Sequence, residues 1–146
     1  MNQAIQDFVN CKNIAVVGYS KDKNKFGSAA YRELKQRGYN VYPVNSSGGM
    51  INDVQCYTNL SSINDPIEGV FISIKPEKVN SILDEAASNG IKNIWIQSGA
   101  ESNDSIKKAE ELGLNFVTGK CILMYAGPVN SLHKVHRFFN KVLGKY

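Results

Sequence analysis

The residues best placed to do chemistry lie between Gly18 and Gly27, near the start of the chain. An apolar run, Asn13-Ile14-Ala15-Val16-Val17, ends at Gly18, and helix-forming residues begin at Phe26-Gly27-Ser28. Glycine at both ends lets backbone amides approach an anion closely, and a helix start adds partial positive charge. Ser20 and Ser28 bring hydroxyl groups, Lys21, Lys23 and Lys25 bring full charges, and Tyr19 is placed to stack on a ligand ring or to lie exposed in the loop. This pattern predicts a phosphate-binding turn, with Gly18, Tyr19, Ser20, Lys25, Phe26, Gly27 and Ser28 as its candidates. Substituting Gly27 with Val is expected to abolish binding and leave the fold intact.

The glycines are nine positions apart, too far for the G-x-G-x-x-G dinucleotide fingerprint. The second apolar run, Tyr39 to Val44, is followed by Asn45, where an NAD site usually carries an acid for the ribose diol. A carboxylate there would repel a phosphorylated ribose, so its absence fits coenzyme A or NADP.

Catalytic groups are sparse. No carboxylate pair, nucleophile elbow or histidine follows a predicted strand. Cys121 beside Lys120 is either a reactive thiol or, as free cysteines usually are, a small inert hydrophobe. His133 and His136 have no third ligand near them in sequence and read as solvated helix positions.

The elements that must position these residues alternate in type. Helices are expected near residues 2–10, from Phe26 to Arg37, from Pro76 to Gly90, from Ser102 to Leu112 and over 130–143. Strands are expected at 13–18, 39–44, 69–74, 93–97 and 114–117. The stretch 45–49 reads as loop, and 54–63 as irregular with one helical turn near Leu60. This order predicts an α/β domain with a Rossmann-like, doubly wound, mostly parallel sheet of five or six strands and helices on both faces. Trp95 is expected in the core. The whole chain, 1–146, reads as one domain, with a core of about 11–124 and a final helix over about 130–143.

Composition agrees. The 146 residues carry 42% hydrophobic and 21% charged side chains and a net charge of +4. That charge permits an anionic ligand without suggesting a nucleic-acid binder. The odd count of three cysteines, with no C-x-x-C, argues against a disulfide framework or a zinc site. No apolar run is long enough to span a membrane, and residues 1–10 lack a signal-peptide pattern, so a cytoplasmic location is expected. The last predicted helix carries Lys134, Arg137, Lys141 and Lys145, and its apolar face is expected on the sheet or on a second subunit.

Over about residues 11–124 the chain resembles the small CoA-binding proteins related to the N-terminal domain of the succinyl-CoA synthetase α-subunit. The resemblance rests on Val16-Val17-Gly18-Tyr19-Ser20, Phe26-Gly27-Ser28-Ala29-Ala30, Gly38-Tyr39, Tyr42-Pro43-Val44-Asn45, Ile74-Lys75-Pro76-Glu77, Ile94-Trp95-Ile96-Gln97-Ser98-Gly99 and Lys120-Cys121-Ile122. It implies that Gly18, Ser20 and Gly27 hold phosphates and that Asn45, Lys75 and Pro76 border the adenosine or pantetheine. Gln97 and Cys121 would lie toward the far end of the cleft. The family usually continues Val-Asn-Pro where Ser46 stands here, and often has arginine where Lys75 stands. The expectation is a binding or regulatory module for coenzyme A or an acyl-CoA, without catalysis of its own, with a protein partner or a second copy. An NADP-binding oxidoreductase-type domain is the alternative.

Overall fold

The structure is a computed structural model and describes residues 3–127. The helix expected over 130–143, with its two histidines and four basic residues, lies outside the described residues.

Five strands form a parallel sheet: β1 (Asn13–Val17), β2 (Asn40–Val44), β5 (Gly69–Ile72), β6 (Asn93–Ile96) and β7 (Asn115–Val117). Their order is β2-β1-β5-β6-β7. Both faces are covered, so each strand reads as a nearly continuous apolar run instead of an alternating one. Ile14, Val16, Phe71, Trp95 and Val117 point to one side. Ala15, Val17, Val70, Ile72, Ile94 and Ile96 point to the other.

Helices α1 (Gln3–Val9) and α2 (Phe26–Gln36) cover the first face. Phe8 of α1 meets Trp95 edge-on, with ring centroids 5.5 Å apart. Helices α3 (Pro76–Ser88) and α4 (Asn103–Glu111) cover the second face through Val79, Leu83, Ala86 and Ala109. Helix α3 starts with proline at its first position, where the missing N–H costs nothing. Helix α4 starts with a reciprocal cap between Ser102 and Ser105.

One element departs from the sequence reading. The stretch expected as loop and irregular chain contains an antiparallel hairpin of β3 (Gly49–Ile51) and β4 (Val54–Cys56). Its turn places Asn52 and Asp53 at φ of 51° and 65°, a conformation those two residue types tolerate better than most. A 3₁₀ turn, Leu60–Ser62, stands where one helical turn was expected.

Leaving the hairpin aside, the chain passes from β1 to β2 on one side, then crosses to β5 on the other. The loops leaving β1 and β5 therefore diverge, and a crevice opens between them at the carboxyl edge.

Candidate functional site

Three backbone segments meet at that crevice with no side chain between them. Gly18 leaves β1 at φ 121°, and a Cβ there would lie 2.2 Å from the Ser73 carbonyl oxygen at the exit of β5. A Cβ on Gly27 would lie 2.2 Å from the Gly18 carbonyl oxygen. The two glycines thus let the amino end of α2 sit directly on the crossing of β1 and β5. Gly27 is consequently a packing residue as well as a site residue, and Val at 27 cannot leave the fold untouched.

The first amides of any helix lack intrahelical acceptors. In α2 the residue that precedes them, Lys25, supplies no side-chain cap. The Ser28 amide donates to the Lys25 carbonyl at 3.1 Å, which leaves the Phe26 and Gly27 amides available to an anion in the cleft. The loop that leads to them is held rigidly by its own polar groups. The Ser28 hydroxyl accepts from the Ser20 amide at 3.1 Å and donates to the Ser20 carbonyl at 2.9 Å. The Ser20 hydroxyl accepts from the Asp22 amide, and the Asp22 carboxylate accepts from the Asn24 amide. Asn45 donates to the Tyr19 carbonyl at 2.9 Å and accepts from the Ser47 amide at 2.9 Å. From the hairpin, Asn52 donates to the Lys21 carbonyl at 3.3 Å.

The cleft has a volume of about 570 Å³. Of the residues expected there, Gly18, Tyr19, Ser20, Lys25, Phe26, Gly27, Asn45 and Lys75 line it. Four do not. Ser28 is fully buried, and its hydroxyl is spent on Ser20. Pro76 is the first residue of α3 and is not part of the cleft wall. Gln97 is buried, and its side-chain oxygen accepts from the Ile122 amide at 3.2 Å. Cys121 precedes the 3₁₀ turn Ile122–Met124 and is half-buried, away from the cleft wall. Trp95, in the core as expected, donates to the Lys120 carbonyl at 3.1 Å. Gln97 and Trp95 therefore anchor the segment after β7, and the structure does not bring Gln97 or Cys121 to the cleft.

Tyr19 also differs from its reading. Only 4% of it is exposed, and its ring packs edge-on against Tyr31 with centroids 4.8 Å apart. A ligand ring cannot stack on it there. Burial raises its phenol above the ordinary tyrosine range.

Sequence reasoning missed the wall opposite the loop. Ser73 and Ile74 continue from β5, and Lys78, Ser81 and Ile82 face inward from α3. Ser46 and Thr58 close the end beside β2. The available signal was spacing: a helix that starts beside Lys75 brings residues three and seven positions later to the same face. Lys21 and Lys23 are exposed but do not line the cleft, whereas Lys25, Lys75 and Lys78 do. Among the described residues, no carboxylate lines it. Lys25 at the start of α2 and Lys75 and Lys78 at the start of α3 give the cleft positive charge above an apolar floor and flanks of Val17, Val44, Ile74 and Ile82.

Fold and crevice together define a Rossmann-like α/β domain. Its family is specific: residues 12–126 match the model described as a CoA binding domain, and the chain belongs to that family. An ADP-forming acetate–CoA ligase II of Archaeoglobus fulgidus is 32% identical over 108 residues, covering 73% of this chain and 16% of that protein. The chain thus spans about a sixth of the length of that relative. The α-subunit of an ADP-forming acetate–CoA ligase II from Pyrococcus furiosus is 25% identical and is covered over 28% of its length. Among solved structures, a hypothetical protein from Pyrococcus horikoshii superposes with a TM-score of 0.78 at 27% identity, covering 98% of this chain and 92% of that one. The dinucleotide-forming acetyl-coenzyme A synthetase 1 of Ca. Korarchaeum cryptofilum superposes with a TM-score of 0.65 at 26% identity, over 77% of this chain and 27% of that one. The resemblance to the succinyl-CoA synthetase-like family read from the sequence is borne out.

Proposed function

We propose that this chain binds coenzyme A or an acyl-CoA through the turn between Gly18 and Gly27, and acts as a binding or regulatory module without catalysis of its own. The carrying observation is the crevice at the β1/β5 exits. An uncapped helix amino end and three lysines converge there, and no carboxylate among the described residues opposes them. A diphosphate fits that combination, because amide dipoles and ammonium charges both favour the ionised phosphate. The volume of about 570 Å³ lies within the range typical of small-molecule sites, roughly 300–1,000 Å³.

The relatives that carry CoA-ligase names are much longer, and this chain matches only 16% and 28% of their length. The described cleft wall holds no carboxylate or imidazole to move a proton. That supports a carrier or sensor role; a partner protein or second copy and a cytoplasmic setting complete the proposal.

Native mass spectrometry of the purified protein, followed by calorimetric titration with CoA, acetyl-CoA and NADPH, tests the proposal. Saturable CoA binding without thioester hydrolysis is the expected result. Binding of NADPH with no binding of CoA would replace the proposal with the NADP-domain reading.

A further inference from the structure

The cleft is asymmetric in charge. On the β2 side the chain runs Asn45-Ser46-Ser47-Gly48-Gly49, and Thr58 stands next to it, so that side supplies only neutral polar groups. Lys25 belongs to the turn that leads into α2. The remaining cations, Lys75 and Lys78, come from the start of α3, three residues apart on one face.

The acidic residues of α3 do not neutralise that face. Asp84 pairs with Lys108 at 3.0 Å, and Glu85 accepts from the Leu60 amide at 3.1 Å. Neither these nor Glu77 lines the cleft. Among the described residues, no carboxylate lies within ion-pair distance of Lys78. Ser81, one turn further on, donates its hydroxyl proton to the Lys78 carbonyl at 3.0 Å, so it leaves space without competing as a donor.

A CoA molecule carries two separate anionic centres: the diphosphate and a phosphomonoester on the ribose 3′ oxygen. With the diphosphate at Gly18, Gly27 and Lys25, the second centre needs its own cation. We infer that Lys78 is the specificity-determining residue of this cleft, recognising the 3′-phosphomonoester that distinguishes CoA from its dephosphorylated form. This rests on the CoA reading above. A phosphomonoester carries about −1.5 to −2 charges at neutral pH, so one ammonium group discriminates strongly between the two ribose forms. Lys75 precedes α3, two residues after the Ser73 carbonyl that meets Gly18, and is expected to contribute to both ligands alike.

Calorimetric titration of the wild type, Lys78→Gln and Lys78→Glu with CoA and with 3′-dephospho-CoA tests this. The wild type is expected to bind CoA about tenfold more tightly than dephospho-CoA, equivalent to about 1.4 kcal/mol. Lys78→Gln should bring the two affinities within about twofold by weakening CoA alone, and Lys78→Glu should reverse the preference. All three proteins should keep the same melting temperature within a few degrees, because the side chain is exposed. Equal weakening of both ligands, or no weakening of either, overturns the inference while leaving CoA binding intact. If the wild type binds neither ligand, the CoA reading itself fails and this assignment falls with it.

Discussion

Replacing Gly27 with alanine adds one methyl group at the tightest point of the site. Its φ is not in the left-handed region, so the effect is steric alone. The new carbon would lie 2.2 Å from the Gly18 carbonyl oxygen and 2.6 Å from the carbonyl carbon. Both are backbone atoms pinned by β1, so no side chain can swing aside. Moving from 2.2 Å out to an ordinary contact of 3.4 Å displaces the amino end of α2 by about 1.2 Å. An amide–phosphate bond of about 2.9 Å would then stretch past 4 Å, beyond hydrogen-bond range. With two such bonds at about 1.5 kcal/mol each, affinity for CoA should fall by about 100-fold. Overpacking costs a further ~1–3 kcal/mol of stability, or a melting temperature lower by about 3–10 °C. Titration calorimetry and thermal denaturation of Gly27→Ala measure the two effects. Gly90→Ala is the control: φ there is 73°, nothing lies within 4 Å, and the site is remote from the cleft. It should cost about 1–2 kcal/mol of stability and leave affinity unchanged. If Gly27→Ala bound CoA as the wild type does and melted at the same temperature, the account of this crossing would be wrong.

Three further outcomes are expected. Ser28→Ala removes the buried hydroxyl that both donates to and accepts from Ser20, so chemical denaturation should show a loss of about 1–3 kcal/mol and calorimetry a weaker CoA affinity. Burial pushes the Cys11 thiol from near 9 up to about 12, so Cys121, half-exposed, should react first with a thiol reagent at pH 8 in the native protein. Cys11 and Tyr39, both pushed up to about 12 chiefly by burial, retain protons in the folded chain that the unfolded chain releases near pH 9–10. Stability from these two groups is therefore complete below pH 9 and lost as pH rises toward 12; a urea midpoint unchanged between pH 8 and 11 would contradict it.

Much was legible before any coordinates. Alternation of apolar runs with amphipathic segments identified every strand of the parallel sheet to within about two residues, because strands buried on both faces must be apolar throughout. The glycine pair and the following helix start located the crevice, since only glycine survives where backbones cross at contact distance. The hairpin was not legible: its strands are three residues long, and its turn uses Asn52-Asp53 in place of a glycine.

Side-chain destinations were decided by tertiary packing. Tyr19, Gln97 and Asn45 stand at predicted strand ends and Ser28 at a predicted helix start, and sequence position alone makes each a ligand contact. In the folded chain, buried backbone groups of the loops needed partners, and these side chains satisfy them. Lys78 shows the reverse, a helix residue just past the Ile74-Lys75-Pro76-Glu77 motif that the placement of α3 brings into the cleft. The sequence by itself determined the sheet, the crossing glycines and the edge at which the crevice opens, because those follow from local periodicity and steric necessity. Which polar groups remained free to meet a ligand was decided only by the three-dimensional fold, since that depends on which unpaired backbone atoms each side chain finds beside it.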